Sequence, residues 1–361
     1  VVRDDLSQMP CSFCDAEESA QLEEVLALIL DGLHAEYDDP NNGVSWESAE
    51  GGWLGVEGRL WDTEELLYSY LECEENVMQS IVGLTNQEQW VYRDPYGARE
   101  HEELYWSWEL FADIVKHKAR YVFFRSDEIK DAYDSLRVNP LSILDELGRI
   151  VLDIGLVEEL AVGFQVMRAR CAGSRTFSTS AELGPPPIEK ARSSRMSPYG
   201  IQMFYCANDE ETCCLETVTW DSALVTVAEW QSKRRMKVLN LSNLPEIPSI
   251  FDATRRDSRM PLIFLDDFVA DFCKKIERDE REHIEYVPTQ VVTEYFRRVF
   301  RANDGAKIDG IVYKSSLGPG NCYVFFFGQD ELCNVRESVG EPAFDLQVPT
   351  IRTFRYTRKR P

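Results

Sequence analysis

The segment Arg195-Met-Ser-Pro-Tyr-Gly-Ile201 runs directly into Gln202-Met-Phe-Tyr205. Its proline and glycine mark a turn, and the apolar and aromatic run after them is typical of a strand. Glu216 follows eleven residues after Tyr205 and closes Glu211-Thr-Cys-Cys-Leu-Glu216, where we expect a helix. An arginine, a tyrosine and a glutamate therefore follow one another across a turn, a strand and a helix.

The rest of the second half alternates short strand-like runs with loops. Runs typical of strands occur at 163–168, 201–206, 224–228, 237–241, 310–313 and 322–327. Loops rich in Pro, Gly and Ser separate them. Two longer stretches, 262–276 and 288–300, have the apolar spacing of helices. The sequence predicts a mixed, mainly antiparallel β domain with peripheral helices.

The first half has a different composition. Apolar residues at helical spacing predict helices at 19–36, 62–73, 77–82, 102–118, 126–136 and 140–156. Residues 1–150 hold 33 of the 63 Asp and Glu residues but 11 of the 39 Lys and Arg residues, so they carry −22 of the net charge of −24. This asymmetry indicates a domain boundary near 150. It also argues against nucleic acid as a ligand of residues 1–150, because such binding depends on neutralising phosphates.

Several classes of function are disfavoured by what the sequence lacks. The second half has no GxGxxG turn and no Walker loop, and Gly318-Pro-Gly320 is too short to cradle phosphates in either way. Its single histidine, His283, lies in a charged run and is expected to be exposed, which disfavours Ser–His–Asp or Cys–His catalysis. No apolar run is long enough to span a membrane. Ten cysteines without a regular framework fit a reducing cytoplasm, which is the expected location.

The remaining candidates for chemistry are Arg, Tyr, Glu and Ser. Arg168 closes a strand-like run, and Asp309-Gly-Ile-Val-Tyr-Lys-Ser-Ser316 ends another in a serine pair. Arginine forks match pyrophosphate oxygens, an aromatic ring can stack on nicotinamide, and a carboxylate stabilises positive charge that develops at an anomeric carbon. Each of these residues is also common on a protein surface, so spacing alone leaves an ordinary structural role open.

The ordered blocks of the second half resemble the RES domain, which is named after its Arg, Glu and Ser. The matching blocks are Leu183-Gly-Pro-Pro-Pro187, Arg195-Met-Ser-Pro-Tyr-Gly-Ile201, Phe204-Tyr-Cys-Ala207, Thr212-Cys-Cys-Leu-Glu216, Tyr286-Val-Pro-Thr-Gln290 and Asp309-Gly-Ile-Val-Tyr-Lys-Ser-Ser316. The resemblance implies an ADP-ribosyltransferase-like fold and NAD degradation. Many members are toxins paired with an antitoxin, so an antitoxin or regulatory protein is an expected partner.

The resemblance also implies roles for three arginines. Arg168 and Arg195 would grip the phosphates of NAD, and Arg170 is the alternative to Arg168. The gap between Arg168 and Arg195 is longer than in the short toxins, and Ser194-Arg195-Met196 stands where many of them have Gly-Arg and an aromatic residue. Both departures point to a long subgroup with an extra N-terminal domain.

Four further residues receive roles from the same resemblance. Tyr205 would line the nicotinamide–ribose pocket, and Glu216 would stabilise the sugar cation or position the attacking water or phosphate. Ser315, or its neighbour Ser316, would hydrogen-bond the substrate beside Glu216. The expected catalytic set is thus Glu216, Arg195, Tyr205 and Ser315, with NAD as substrate and no cofactor.

The first half resembles the N-terminal domain that accompanies RES domains and is grouped with the HEPN superfamily. Asn42-Gly-Val-Ser-Trp46, Glu50-Gly-Gly-Trp53 and Trp90-Val-Tyr-Arg-Asp-Pro-Tyr96 carry this resemblance. The Arg and His spacing of the nuclease members is missing, so we expect a sensor, regulator or dimerisation module and a homo-oligomeric protein. Cys11-Ser-Phe-Cys14 is half of a zinc knuckle and leaves a structural zinc open beside ordinary core thiols.

We therefore expect an α+β protein. An N-terminal α-helical domain (1–150) precedes an ADP-ribosyltransferase-like mixed β-sandwich with peripheral helices (157–335) and a C-terminal extension with a basic end (336–361). The expected activity is cleavage of the nicotinamide–ribose bond of NAD by hydrolysis or phosphorolysis, in a bacterial toxin or antiphage effector. Transfer of ADP-ribose to a macromolecule and non-catalytic sensing of NAD or ADP-ribose remain the alternatives.

Overall fold

The structure is a computed structural model of the chain. It describes residues 9–13, 16–49, 51–56, 58–125, 127–133, 136–173, 175–274, 282–333 and 342–358. The chain divides into two compact units, one made of Val1–Glu103 and Glu246–Ile263, the other of Leu104–Pro245 and Phe264–Pro361. The predicted α+β class is confirmed. The domain boundaries given above stay predictions.

The first unit combines helices with short strands. Its elements are α1 (Leu22–Glu36), β1 (Tyr37–Asp38), β2 (Trp46–Glu47), β3 (Gly52–Trp53), β4 (Leu60–Asp62), α2 (Thr63–Tyr70), α3 (Glu75–Leu84) and β5 (Gln89–Tyr92). The helices bury Leu33, Leu67 and Met78 against Trp90, which lies on the central strand of the small antiparallel sheet β1-β5-β4. The three helices expected between 19 and 82 are confirmed, and the small sheet was not expected.

The second unit holds the large sheet. Its helices are α4 (Glu100–Asp113, continued by a π-helical turn over Ile114–Lys118), α5 (Asp127–Tyr133), α6 (Ile143–Ile154), α7 (Ser180–Leu183), α8 (Glu210–Thr217), α9 (Arg259–Cys273), α10 (Glu282–Glu285), α11 (Val287–Arg298) and α12 (Gln329–Cys333). Of these, α4 and α9 begin within the first unit. Its strands are β6 (Val157–Leu160), β7 (Gln165–Cys171), β8 (Phe204–Ala207), β9 (Ser222–Ser232), β10 (Met236–Asn240), β11 (Gly310–Lys314), β12 (Asn321–Phe325), β13 (Phe344–Leu346) and β14 (Arg352–Thr357).

Within the described residues, these nine strands form one hydrogen-bonded sheet. Its order is β13-β9-β7-β8-β12-β11-β10-β6, and β14 also pairs with β9. The pairs are antiparallel except for β10 with β11, which confirms the prediction of a mainly antiparallel sheet. The six predicted strands are present with shifted ends. Strands β6, β13 and β14 were not predicted.

Both faces of the sheet are packed. One face buries a large cluster that includes Phe204, Trp230 and Phe325. The other face carries a smaller cluster in which Cys214 of α8 packs with Val225 of β9. Strands β7, β8 and β9 contribute residues to both clusters and are thereby fixed from both sides, so β7 and β8 can hold polar side chains in defined positions. No helix in the described ranges is both long and apolar enough to cross a lipid bilayer.

Candidate active site

A cavity of about 630 Å³ opens at the ends of the central strands of the second unit. Six of the residues predicted for the site line it, namely Arg168, Arg170, Arg195, Tyr205, Glu216 and Ser316. Ser315 lies behind the wall of the cavity and hydrogen-bonds one of these residues. Residues from a strand, a loop, a helix and a strand end, separated by up to about 150 positions in the chain, therefore meet in one place.

Glu216 sits in the last turn of α8. Helix α8 begins at Glu210 because the carboxylate of Asp209 accepts the backbone N–H of Thr212 at 2.8 Å and so caps the first turn. The Ser315 hydroxyl donates to Oε1 of Glu216 at 2.6 Å. The Cys322 thiol donates to the same oxygen at 3.6 Å. Hydrogen bonds to an ionised acceptor are the stronger kind, so the carboxylate has a fixed orientation in the half-buried wall.

Ser315 is itself held by the backbone that follows it. Its side chain is 8% exposed, and its oxygen accepts the N–H groups of Leu317 at 3.1 Å and Gly318 at 2.9 Å. The N–H of Gly320 donates to the Thr212 hydroxyl at 2.9 Å, which ties the loop to α8. The structure therefore places Ser315 on the carboxylate, whereas the neighbouring Ser316 faces the cavity.

Arg168 and Arg170 project from β7 toward the cavity. The guanidinium of Arg168 donates to the carbonyl of Tyr205 and lies 5.2 Å from the centre of the Phe204 ring. Arg170 donates to the carbonyl of Glu182 and lies 5.3 Å from the centre of another phenylalanine ring. Burial lowers the pKa of both guanidinium groups, and for Arg170 a nearby arginine adds to the effect. Neither loses its charge at neutral pH, because the ordinary value is so high.

Arg195 completes a set of three cationic side chains. It donates to the carbonyl of Phe272 at 3.5 Å. In the described part of the chain, Arg168, Arg170 and Arg195 form no ion pair with a carboxylate. Buried or half-buried cations without a counter-ion favour an anionic ligand, and guanidinium groups bind phosphate oxygens through paired N–H donors.

Tyr205 contributes a neutral phenol. Its hydroxyl lies 2.6 Å from the Ser194 hydroxyl and 2.9 Å from that of Ser197. Burial raises the pKa of Tyr205, and the two serine hydroxyls partly offset the effect. Helix α11 fixes the loop that carries these serines, because the Gln290 amide donates to the Ser194 carbonyl at 2.8 Å and the Thr289 hydroxyl donates to the Arg195 carbonyl at 2.6 Å.

Several lining residues were not predicted, among them Tyr313, Cys322 and Arg358. Tyr313 of β11 and Cys322 of β12 are cross-strand partners, and both line the cavity. Burial raises the pKa of Cys322 to about 12 and holds the pKa of Tyr313 well above its ordinary value. Tyr313 stands two positions before Ser315, so strand alternation could have pointed to it. The third of these, Arg358, lies beyond β14 in the predicted basic tail.

Two other predictions concern His283 and the cysteine pair. His283 is exposed, as expected, and does not line the cavity. Cys11 is among the described residues but Cys14 lies outside them, so the zinc site stays a prediction. Across the described ranges, no group of three or more His, Cys, Asp or Glu side chains is arranged to hold a metal ion.

Comparison with known families gives two matches. Residues 4–129 match the model of HEPN/RES N-terminal domain 1, and residues 166–347 match the model of the RES domain. No curated protein and no solved structure was found to match the chain. The RES match covers half of the chain and contains all of the residues predicted for the NAD site. The pair Cys11 and Cys14 precedes this match. The chain therefore belongs to the RES-domain family and carries the N-terminal domain 1 that goes with the HEPN/RES group.

Proposed function

We propose that the protein cleaves the nicotinamide–ribose bond of NAD. The observation that carries this proposal is the pairing of Glu216 with Ser315 beside three arginines that have no carboxylate partner in the described residues. Membership of the RES family supports a toxin-like, NAD-related role. The cavity volume of about 630 Å³ lies in the range typical of small-molecule sites.

The arginines would bind and orient the dinucleotide. Arg168 and Arg195 offer guanidinium donors to the diphosphate, and Arg170 adds a third cation on the same strand as Arg168. Tyr205 presents an aromatic ring to the cavity while its hydroxyl is held by serines. Stacking on this ring would hold the nicotinamide in a fixed position.

Glu216 would act on the sugar. As the bond to nicotinamide breaks, the electron pair goes to the ring nitrogen and positive charge grows at the anomeric carbon. An oxygen of water, which loses a proton to solvent, or of inorganic phosphate then bonds to that carbon. A carboxylate that is already oriented stabilises this charge without reorganising during the reaction. The Ser315 hydroxyl supplies that orientation, so we assign it as a positioning residue. Nicotinamide leaves as a neutral molecule and requires no proton donor, which suits a cavity whose described lining has no histidine.

Free nicotinamide is the product that tests the proposal. The purified full chain is incubated with NAD that carries a label in the adenosine, and nicotinamide and label are followed together. Release of nicotinamide with the label in a soluble ADP-ribose product supports the proposal. Label on a protein or nucleic acid would instead indicate ADP-ribosyl transfer. An intact NAD pool, with and without inorganic phosphate, would refute the proposal.

A further inference from the structure

Arg358 reaches the cavity from outside the region that matches the RES domain. The match ends at residue 347, yet Arg358 lines the same cavity as Glu216. Its backbone N–H donates to the carbonyl of Asp221 at 2.9 Å, directly after the last pair of the β14–β9 ladder, Thr357 with Ser222. A segment beyond the matched region thus adds a cation to the candidate active site.

The packing of β14 fixes the position of this cation. The strand pairs with β9 from Arg352 to Thr357. Phe354 and Tyr356 pack against the cluster that contains Cys214 of α8, and the Thr353 hydroxyl lies 2.7 Å from that of Thr226. The end of β14 therefore has a defined position next to α8, the helix that carries Glu216.

The wall next to Arg358 offers a second unused donor. Thr217 and Thr219 follow Glu216 in the chain and line the cavity with it. The Thr217 hydroxyl donates to the carbonyl of Ala169 at 3.4 Å. Thr219 is exposed, and neither its hydroxyl nor the guanidinium of Arg358 forms a hydrogen bond or ion pair with a described residue.

The cavity holds more positive charge than a dinucleotide requires. Four arginines and one glutamate line it within the described chain. The diphosphate of NAD carries one negative charge on each phosphate, and Arg168, Arg170 and Arg195 already supply its counter-ions under the proposed function. Arg358 is a surplus cation, and its backbone N–H is bonded to Asp221, two residues after Thr219 and its free hydroxyl. Such a pair favours a further phosphate group.

We propose that Arg358 and Thr219 form a phosphate-binding subsite beside Glu216, separate from the site for the diphosphate. This inference rests on the proposed function. The ligand is a phosphate dianion, which has two possible sources: inorganic phosphate, or the ribose phosphate of NADP. With inorganic phosphate, a phosphate oxygen bonds to the anomeric carbon as the carbon–nitrogen bond breaks. The electron pair leaves with neutral nicotinamide, and the product is ADP-ribose 1″-phosphate.

The test compares Arg358→Gln with Arg355→Gln in the full chain. Arg355 lies on β14, three residues before Arg358, is exposed and does not line the cavity, so its substitution controls for the loss of one charge. Nicotinamide release is measured with NAD alone, with NAD and inorganic phosphate, and with NADP. We expect Arg358→Gln to weaken the use of phosphate or of NADP about tenfold or more relative to its own rate with NAD alone, as for loss of a charged hydrogen bond, and Arg355→Gln to match the wild type in every arm.

The arms identify the source of the phosphate. A higher KM for inorganic phosphate indicates a free ion, and a higher KM for NADP alone indicates the ribose phosphate. Equal behaviour of both variants and wild type in every arm would overturn the subsite. If the wild type releases no nicotinamide, the proposed function fails, and calorimetric titration with inorganic phosphate and NADP decides the subsite. The subsite is supported if the wild type and Arg355→Gln bind inorganic phosphate or NADP tightly and Arg358→Gln does not. It is overturned if the wild type binds neither ligand.

Discussion

Neutral groups and one hydroxyl donor surround the carboxylate of Glu216. Cys322 and Tyr313 lie beside it, and burial raises the pKa of both, so they remain uncharged at neutral pH. Ser315 is the group that binds the carboxylate at short distance. At the scale of single residues, the serine therefore determines where the negative charge of the site lies.

Ser315→Ala tests this assignment. Loss of a hydrogen bond to a charged group is worth about 1.5–3 kcal/mol, so we expect kcat to fall by about one to two orders of magnitude. The KM for NAD should change little, since Ser315 lies behind the cavity wall. Steady-state kinetics of nicotinamide release measure both constants, and Ser315→Thr should restore part of kcat. A variant with normal kcat, or one in which only KM rises, would show that Ser315 does not orient Glu216.

The buried thiols of the cavity give a prediction about their reactivity at neutral pH. Burial raises the pKa of Cys322 to about 12 and also raises the pKa of Cys206 and Cys213. Because the thiolate is the reactive form, iodoacetamide at pH 7.5 should leave these three residues unmodified and activity intact. Among the described cysteines, the exposed Cys73 should react first, although its pKa is also raised. Mass spectrometry locates the label, and rapid labelling of Cys322 with loss of activity would contradict the structure.

The residues of the site were predictable where they belong to ordered sequence blocks. Arg195, Tyr205 and Glu216 lie within one turn, strand and helix, so local pattern and family resemblance pointed to them together. Arg358 was not predictable in this way. Its place depends on the pairing of β14 with β9, a contact between segments separated by about 130 residues that no local pattern encodes.

At the scale of elements, the loop 315–320 connects Ser315 to the start of α8. From its sequence, Gly318-Pro-Gly320 is too short to cradle phosphates. In the structure its glycines allow the backbone to approach the start of α8 closely. A Cβ on Gly318 would lie 2.6 Å from Oγ1 and 2.7 Å from Cα of Thr212, and a Cβ on Gly320 would overlap the Asp209 carboxylate. The loop thus binds α8 and Ser315 into one assembly.

Gly318→Ala should break this assembly. The contact with the backbone of Thr212 cannot relax by a side-chain rotation, so the loop must move and carry Ser315 away from Glu216. We expect a loss of about 1–3 kcal/mol in stability and a clear drop in kcat. Gly83→Ala is the control: this helical position has open space around it and should gain up to about 1 kcal/mol. Thermal unfolding and nicotinamide release measure the effects. Normal activity of Gly318→Ala would contradict the proposed role of the loop.

Strands with a longer apolar or aromatic run were predicted, whereas short or charged ones were not. β6 reads Val-Glu-Glu-Leu, and β14 reads Arg-Thr-Phe-Arg-Tyr-Thr. The polar residues of β14 suggested a basic end, and no element was predicted at β6. Both strands lie at the edges of the sheet path, where one side of the strand faces solvent and tolerates charge. Edge strands are therefore the elements for which composition gives the weakest signal.

At the scale of the whole molecule, charge is distributed unevenly along the chain. The first 150 residues carry nearly all of the net negative charge, whereas the candidate active site in the second unit carries a cluster of arginines. The acidic part suits a role other than phosphate binding, and the basic cavity suits an anionic substrate. The acidity of the first half could be predicted from composition, but the basic cavity could not, because residues 151–361 are close to neutral in net charge and the arginines meet only through folding.

The most direct test of the central claim is to separate binding from turnover in the full chain. Glu216→Gln keeps the size of the side chain and removes its charge, and Glu211→Gln, on the exposed face of the same helix, is the matched control. We predict that Glu216→Gln binds NAD with a Kd within about threefold of wild type and loses about 100-fold or more in kcat for nicotinamide release. Unchanged release by Glu216→Gln, with Glu211→Gln equally active, would contradict the account.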